Sequence, residues 1–294
     1  MDKKLKNSLL LLTLALFLIG CRNSNDSNET IDNNEPPVAG FDYKITTSGY
    51  SSLVTTEVKL LGYVDQKDNN DRQEVGFVIS ENSTPTINDL AKSINFSGDG
   101  NFEITFDNLK YNTTYYYRSY VKYGELEYGE VKSFKTCGYN VPAGGIVAYD
   151  KGNDNDGWRY IEVSVQGIDT GAWSSNQQLI TGTTNTLGSG KNNTERIITS
   201  STMPTSTAAY KCKNYYLNGY NDWFLPSSDE AYLISKSLGK INRPLPSYIW
   251  TSTEKDMKYA FRVKAGIDNY GNIEIQFEDK RIGYETTIIP IRRY

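Results

Sequence analysis

The strand pattern is clearest in one stretch of the first half, which reads Leu109-Lys110-Tyr111-Asn112-Thr113-Thr114-Tyr115-Tyr116-Tyr117-Arg118-Ser119-Tyr120-Val121. Successive strand side chains point to opposite faces, so alternate residues of this stretch share one face. The same period of two recurs in residues 58–64, 75–79 and 102–106. Short strands with this alternation, separated by polar loops, favour an antiparallel β-sandwich.

The start of the same stretch also carries a spaced motif. Leu109, Thr113 and Tyr115 stand in the order Leu-x-x-x-Thr-x-Tyr. This spacing resembles the tyrosine corner of fibronectin type III domains, in which the Tyr hydroxyl ties a loop to the strand that follows it. The resemblance covers residues 41–137 and implies a spacer or docking module, not a catalyst.

The second half carries several short motifs in a fixed order. They are Gly144-Gly145-Ile146-Val147, Gly157-Trp158-Arg159-Tyr160, Gly182-Thr183, Gly190-Lys191-Asn192-Asn193-Thr194, Asn218-Gly219-Tyr220-Asn221-Asp222-Trp223-Phe224-Leu225-Pro226-Ser227, Tyr248-Ile249-Trp250-Thr251-Ser252-Thr253-Glu254 and Ile289-Pro290-Ile291-Arg292. This series resembles the Lcl C-terminal domain family, which is named for a bacterial collagen-like adhesin. The resemblance implies a C-type-lectin-like fold, with two helices on a small, mostly antiparallel sheet below long loops.

The predicted fold class is therefore mostly β plus α+β. A fibronectin III-like β-sandwich over 41–137 is followed by a C-type-lectin-like α+β domain over 138–294. Within the second domain, helical character is predicted over 205–218. Another helix is predicted to start near Ser227, because Ser227 and Glu230 have the spacing of a capping box. The Gly/Thr/Ser/Asn-rich stretch 181–193 is predicted to be mostly loop.

The first residues resemble a bacterial lipoprotein signal peptide over 1–20. A basic start precedes an apolar run at 9–19, and Cys21 stands where a peptidase would cut. The resemblance implies that Cys21 becomes the lipidated first residue, on a disordered tether over 21–40. We expect an exported protein that is lipid-anchored to the cell envelope, at the outer membrane or cell surface. An ordinary signal peptide with a chance cysteine is the alternative.

Composition excludes several classes of function. The chain contains no histidine, which removes Ser-His-Asp and Cys-His catalysis and the commonest zinc ligand. Its formal net charge of −4 argues against nucleic acid as a partner. Membrane contact is expected through the lipid anchor only.

Two further features leave alternatives open. Cys137 and Cys212 are either a disulfide, as an oxidising compartment allows, or two buried free thiols. Asp150, Asp154 and Asp156 stand near one another before Gly157, but the EF-hand spacing fails because Val163 occupies the place of its bidentate Glu. A solvated hairpin turn is favoured; a calcium site built from these carboxylates is the alternative. No other cofactor is expected.

The loops after Trp250 are the predicted ligand surface, because aromatic rings stack on sugars while charges and amides bond hydroxyl groups. The predicted binding residues are Glu254, Lys258, Tyr259, Asp268, Asn269 and Tyr270. The expected function is non-covalent, adhesin-like recognition of a polysaccharide or a surface protein. The alternatives are a subunit of a surface or fimbria-like assembly, and a carbohydrate-active enzyme. We expect no enzyme, because no catalytic machinery is recognisable.

Overall fold

The computed structural model describes residues 43–66, 72–97, 100–164, 168–200, 204–241, 246–266, 268 and 272–294. In the first half, the predicted strands form two sheets. The strands are β1 (Tyr43–Leu53), β2 (Val58–Gln66), β3 (Arg72–Ser80), β4 (Leu90–Ser97), β5 (Gly100–Phe106), β6 (Thr114–Tyr123), β7 (Glu125–Tyr128) and β8 (Lys132–Lys135). Strands β1, β2 and β5 are neighbours in one sheet; β4, β3, β6 and β7 form the other, and β8 also pairs with β6. All these pairs are antiparallel, so the predicted sandwich is confirmed.

The inward residues of both sheets fill one core. Phe77 and Phe106 are completely buried, and the rings of Tyr117 and Phe134 lie 5.5 Å apart. The hydroxyl of Tyr115 accepts a hydrogen bond from the backbone N–H of Lys110 at 3.1 Å. This contact is the loop tie that the Leu-x-x-x-Thr-x-Tyr spacing predicted.

The second half adds eight strands and three helices to the described part of the chain. They are β9 (Ile146–Asp150), β10 (Tyr160–Val163), β11 (Ile168–Thr170), α1 (Gly190–Thr199), α2 (Ala208–Lys213), α3 (Ser228–Leu238), β12 (Tyr248–Glu254), β13 (Tyr259–Lys264), β14 (Ile275–Asp279), β15 (Thr286–Ile288) and β16 (Ile291–Arg293). One sheet has the order β11-β15-β12-β13-β14, in which only the β12–β15 pair is parallel.

Helix α1 differs from the sequence prediction. The stretch 181–193 was predicted to be mostly loop, yet the helix begins at Gly190, and Ser189 gives it no side-chain cap. Asn193, Thr194 and Ile197 of the helix are buried. Tertiary packing of this face overrides the weak helix propensity of its residues.

A single bridge joins the sheet of the sandwich to the second half. Leu53 of β1 pairs with Asp150 of β9, which extends the sheet to the order β16-β10-β9-β1-β2-β5. Val147 packs in the core of the sandwich, whereas Val54 packs in a core of the second half. Asp42–Tyr294 accordingly form one compact unit.

The predicted signal peptide, the lipidated Cys21 and the tether over 21–40 lie outside the described residues. Among the helices that the structure does describe, none has the length and apolar character needed to cross a membrane.

Candidate ligand-binding surface

Strands β13 and β14 place four large side chains on one face of the sheet. Phe261 lies opposite Phe277, Tyr259 opposite Asp279, and Val263 opposite Ile275. Residues paired in this way share a face. Phe277 and Ile275 are each 47% exposed, although β14 is a strand of the sheet. We call Tyr259, Phe261, Ile275 and Phe277 the aromatic strip.

Two lysines flank one end of the aromatic strip. The rings of Tyr259 and Phe277 meet edge to face at 5.2 Å between centroids. The Nζ atom of Lys255 lies 3.0 Å from the centroid of Phe277, and that of Lys258 lies 4.9 Å from Tyr259. A side-chain hydrogen bond with Tyr259 raises the pKa of Lys258, so this lysine is charged at neutral pH.

The hairpin between β12 and β13 holds Tyr259 in place. The carboxylate of Asp256 accepts hydrogen bonds from the backbone N–H groups of Lys258 and Tyr259, each at 2.8 Å. These bonds, led by that from Tyr259, lower the pKa of Asp256. An ionised Asp at this turn therefore fixes where the strip begins.

A cavity of about 460 Å³ adjoins the other end of the strip. Its lining residues are Thr183, Thr184, Asn185, Ser228, Asp229, Thr253, Glu254, Phe261 and Ile275. We call it the threonine cavity. Phe261 and Ile275 belong to both features, so the strip and the cavity form one continuous surface.

The start of α3 supplies one wall of the threonine cavity. Ser227 Oγ accepts from the Glu230 N–H at 3.3 Å, and Glu230 Oε2 accepts from the Ser227 N–H at 2.8 Å. This reciprocal pair confirms the predicted capping box. Glu230 also accepts from the N–H of Gly188 at 3.2 Å, which ties the loop before α1 to the helix.

Hydroxyl groups lock the opposite walls together. Thr253 Oγ1 accepts from the Ser228 N–H at 3.1 Å and donates to the Thr184 carbonyl at 3.2 Å. Asn193 of α1 donates to the same carbonyl at 2.7 Å. The cavity is therefore shaped by bonds between three separate segments.

Asp229 contributes a carboxylate to the cavity. Burial raises the pKa of Asp229, and a backbone hydrogen bond from Leu187 opposes that rise. Its position in the first turn of α3 favours the ionised form, because the helix dipole places positive charge there.

The predicted residue Glu254 lines the threonine cavity, but its carboxylate is bonded to interior partners. Its carboxylate is 5% exposed and forms an ion pair with Lys280, which is fully buried. The backbone N–H of Ile180 also donates to it, at 2.8 Å. A carboxylate held by these partners has little capacity left for a sugar.

The remaining predicted binding residues do not lie in one place. Lys258 and Tyr259 lie on the strip, as described above. Asp268 is exposed and accepts from the Asn272 N–H at 2.8 Å. Asn269 and Tyr270 lie outside the described residues.

The carboxylates suggested for calcium have other partners. Asp150 is 4% exposed and accepts from Arg159 Nε at 2.7 Å and from the Tyr50 hydroxyl at 2.6 Å. Asp156 forms an ion pair with Lys151. Over the described ranges, no group of three or more Cys, Asp or Glu side chains is placed to hold a metal ion.

The suggested disulfide is absent from the structure, which has Cys137 and Cys212 as free, buried thiols. Cys137 packs in the core of the sandwich, whereas Cys212 packs among residues of the second half. Burial raises the pKa of both thiols well above the usual range, so each behaves as a small apolar side chain.

Sequence reasoning missed Phe261, Phe277 and Asp229. The alternation of Tyr259 with Phe261, and of Ile275 with Phe277, was a signal for a shared face. No sequence pattern connected Asp229 with that face, because the two come together only through packing of α3.

No protein-family model and no curated protein sequence matches the chain. Among solved structures, similarity is found to the sensor domain of the anti-sigma factor RsgI4 of Pseudobacteroides cellulosolvens, at 20% identity and a TM-score of 0.28, covering 32% of this chain and 75% of that chain. A fibronectin type III domain from human KIAA0970 protein is similar at 17% identity and a TM-score of 0.24, over 33% of this chain and 77% of that chain. Both likenesses concern about a third of the chain.

Proposed function

We propose that the protein binds a glycan non-covalently through the aromatic strip and the threonine cavity, as a lipid-anchored protein of the cell envelope. One observation carries the proposal: Phe277 is 47% exposed on a strand, beside Tyr259, Phe261 and a cavity rich in hydroxyl groups. Exposed apolar patches rimmed by polar residues mark interaction sites on protein surfaces.

The chemistry of the surface matches that of a sugar. Aromatic faces pack against the apolar C–H face of a sugar ring, and polar groups at the edge bond its hydroxyl groups. The strip supplies the first kind of contact through Tyr259, Phe261 and Phe277. The cavity supplies the second through Asn185 and Asp229.

The lipid anchor and the C-type-lectin-like assignment rest on the sequence. The basic start, the apolar run and Cys21 support export and acylation, and the ordered motifs of the second half support the lectin-like resemblance. Cys21→Ser is expected to move the protein from the membrane fraction to the soluble fraction of cells. Equal membrane retention of Cys21→Ser and the native chain would contradict the anchor.

A glycan array tests the binding function directly. The full chain, in detergent, is applied together with Phe277→Ala and with the control Tyr216→Ala, which removes a ring that is 67% exposed elsewhere. Native protein and control are expected to bind the same glycans, and Phe277→Ala to bind about tenfold more weakly, equivalent to about 1.4 kcal/mol. Glycan binding that is unchanged in Phe277→Ala would overturn the proposal.

We propose binding without turnover. Glu254, an acid that lines the cavity, is held by Lys280 and by a backbone N–H, so it is a poor general acid or base. Incubation of the protein with any glycan it binds is expected to release no new reducing ends. Release that Asp229→Asn abolishes would favour a hydrolase instead.

Docking in a surface assembly is the second candidate, and it has its own observation. Strand β4 is the edge of its sheet, and it exposes Leu90 at 49% and Ile94 at 40%. Exposed apolar edge strands are templates for pairing with another chain. If this candidate is correct, Ile94→Lys abolishes co-purification of an envelope protein while Phe277→Ala leaves it intact.

A further inference from the structure

We infer that the threonine cavity receives the end of a glycan chain, that it accepts an uncharged sugar there, and that Asp229 is the residue that excludes acidic sugars. This inference rests on the proposed glycan-binding function, and it names the class of sugar that the surface selects. Nothing in the motifs or the fold alone assigns this selectivity.

The shape of the surface distinguishes a place for the end of a glycan chain from a place for its middle. The aromatic strip is an open strand face, along which a chain of sugars can lie. The threonine cavity is an open recess of about 460 Å³, a volume within the range of ligand pockets. Three segments form its walls, namely the loop before α1, the start of α3 and the end of β12. A chain that lies on the strip therefore places its terminal sugar in the cavity.

The cavity carries one uncompensated negative charge. Of its two acids, Glu254 is neutralised by Lys280. No ion pair of the described residues involves Asp229, and its carboxylate accepts a hydrogen bond from the backbone of Leu187. Lys255 and Lys258 lie beside Tyr259 and Phe277 and are not among the lining residues. A carboxylate or sulfate in the cavity would face Asp229, with no cation among the lining residues that the structure describes to offset it.

The hydrogen-bonding groups that remain available in the cavity suit the hydroxyl groups of a sugar. A carboxylate such as Asp229 accepts from two neighbouring hydroxyls, and the amide of Asn185 both donates and accepts. Thr183 Oγ1 already accepts from the Glu254 N–H at 3.1 Å, so its own O–H is left to donate. Phe261 and Ile275 add an apolar wall for the sugar ring. This set matches an uncharged sugar with several hydroxyl groups.

Competition measures the selectivity. The full chain in detergent is bound to immobilised laminarin, xylan or galactomannan, and is displaced with glucose or galactose and with the matching glucuronate or galacturonate. Neutral sugars are expected to displace it at concentrations at least tenfold lower than the acidic ones. Asp229→Asn is expected to reduce the ratio of the acidic to the neutral displacing concentration at least fivefold. Asp154→Asn, which changes an exposed acid in the turn after β9, is expected to leave this ratio unchanged.

The outcomes distinguish failure of this inference from failure of the proposed glycan-binding function. If Phe277→Ala weakens binding but Asp229→Asn leaves the ratio of acidic to neutral competitors unchanged, only the inference fails. If the chain binds neither the three polysaccharides nor any glycan of the array, both fail. Asn185→Ala is the second variant, for use if Asp229→Asn does not fold. Neutral sugars are expected to displace Asn185→Ala about fivefold more weakly than the native chain. Equal displacement of Asn185→Ala and the native chain would overturn the inference.

Discussion

The joint between β1 and β9 and the aromatic strip both combine charged and aromatic side chains, but in opposite ways. At the joint, Asp150 is 4% exposed and its carboxylate is bonded to Arg159 and Tyr50. On the strip, Lys255 and Lys258 are exposed over aromatic rings. Buried charges with complete partners fix the position of backbone segments, whereas exposed charges over partly exposed rings are accessible to a ligand.

The joint also depends on a close backbone approach. Gly152 has a φ of +88°, and a Cβ atom there would lie 2.2 Å from the carbonyl oxygen of Tyr50. Thr55 donates to the Ser237 carbonyl at 3.3 Å, and Lys236 pairs with Glu57 at 2.6 Å. Contacts of this density leave the joint little freedom, so we expect the sandwich to support the second half.

The largest effect is expected where a buried charge loses its partner. Lys280→Met would leave Glu254 buried without a cation, which typically costs about 3–5 kcal/mol. Denaturant unfolding of the variant measures this loss of stability. The control Lys213→Met breaks an exposed pair with Glu195, for which at most about 1 kcal/mol is expected. Equal losses in the two variants would contradict the division between buried and exposed charges.

A smaller effect is expected at the joint itself. Asp150→Asn keeps the shape of the side chain but removes the charge that Arg159 and Tyr50 bond. Because hydrogen bonds to charged groups contribute about 1.5–3 kcal/mol, a loss of about 2 kcal/mol is expected. Thermal unfolding measures it, with Asp156→Asn as the control for an exposed acid in the same turn. A loss no greater than that of the control would show that the joint does not depend on this carboxylate.

Acid should weaken the end of the strip. A side-chain hydrogen bond from Arg281 is the largest cause that lowers the pKa of Asp279 to about 2. The pKa in the unfolded chain is about 3.9, so this stabilisation is complete above about pH 5 and is lost progressively as the pH falls toward 2. Because the Arg281 side chain is 53% exposed, solvent screening reduces the expected loss to about 1 kcal/mol.

Unfolding curves at pH 5 and pH 2.5 measure that difference for the native chain and for Asp279→Asn. The variant is expected to lose less stability than the native chain over this interval. An identical pH dependence of the two proteins would mean that Asp279 titrates normally in the folded state.

The smallest effect on stability is expected on the strip. Phe277→Ala removes a ring that is already 47% exposed, so the free energy of unfolding is expected to fall by about 0.5 kcal/mol. Phe77→Ala, which empties a fully buried site, is expected to cost about 3–5 kcal/mol. A large loss in Phe277→Ala would identify the ring as part of the core and would remove the argument for a ligand.

The features that the sequence predicted are local ones. The alternation in β3, β5 and β6, the tie between Tyr115 and Lys110, and the capping box of Ser227 and Glu230 all involve residues at most a few positions apart. Such features depend on backbone periodicity and short hydrogen-bonded rings, which any window of the sequence displays.

The candidate site was predicted only in part, for a physical reason. Lys258 and Tyr259 were named because they lie in a loop-rich stretch with aromatic residues. Glu254 was predicted with them, but the residues next to Glu254 in the sequence do not reveal that it forms a buried ion pair with Lys280. Burial of a charge depends on which distant segment supplies its partner.

By itself, the sequence determined the strands of the sandwich, the start of α3 and the absence of histidine chemistry, because each follows from residue type and spacing. Only the tertiary structure decided that Glu254 is buried, that Cys137 and Cys212 stay apart, and that Phe277 and Asp229 border one surface. These outcomes depend on contacts between residues distant in the chain, and the free energy of such a contact is set by packing and desolvation at a place that no local pattern specifies.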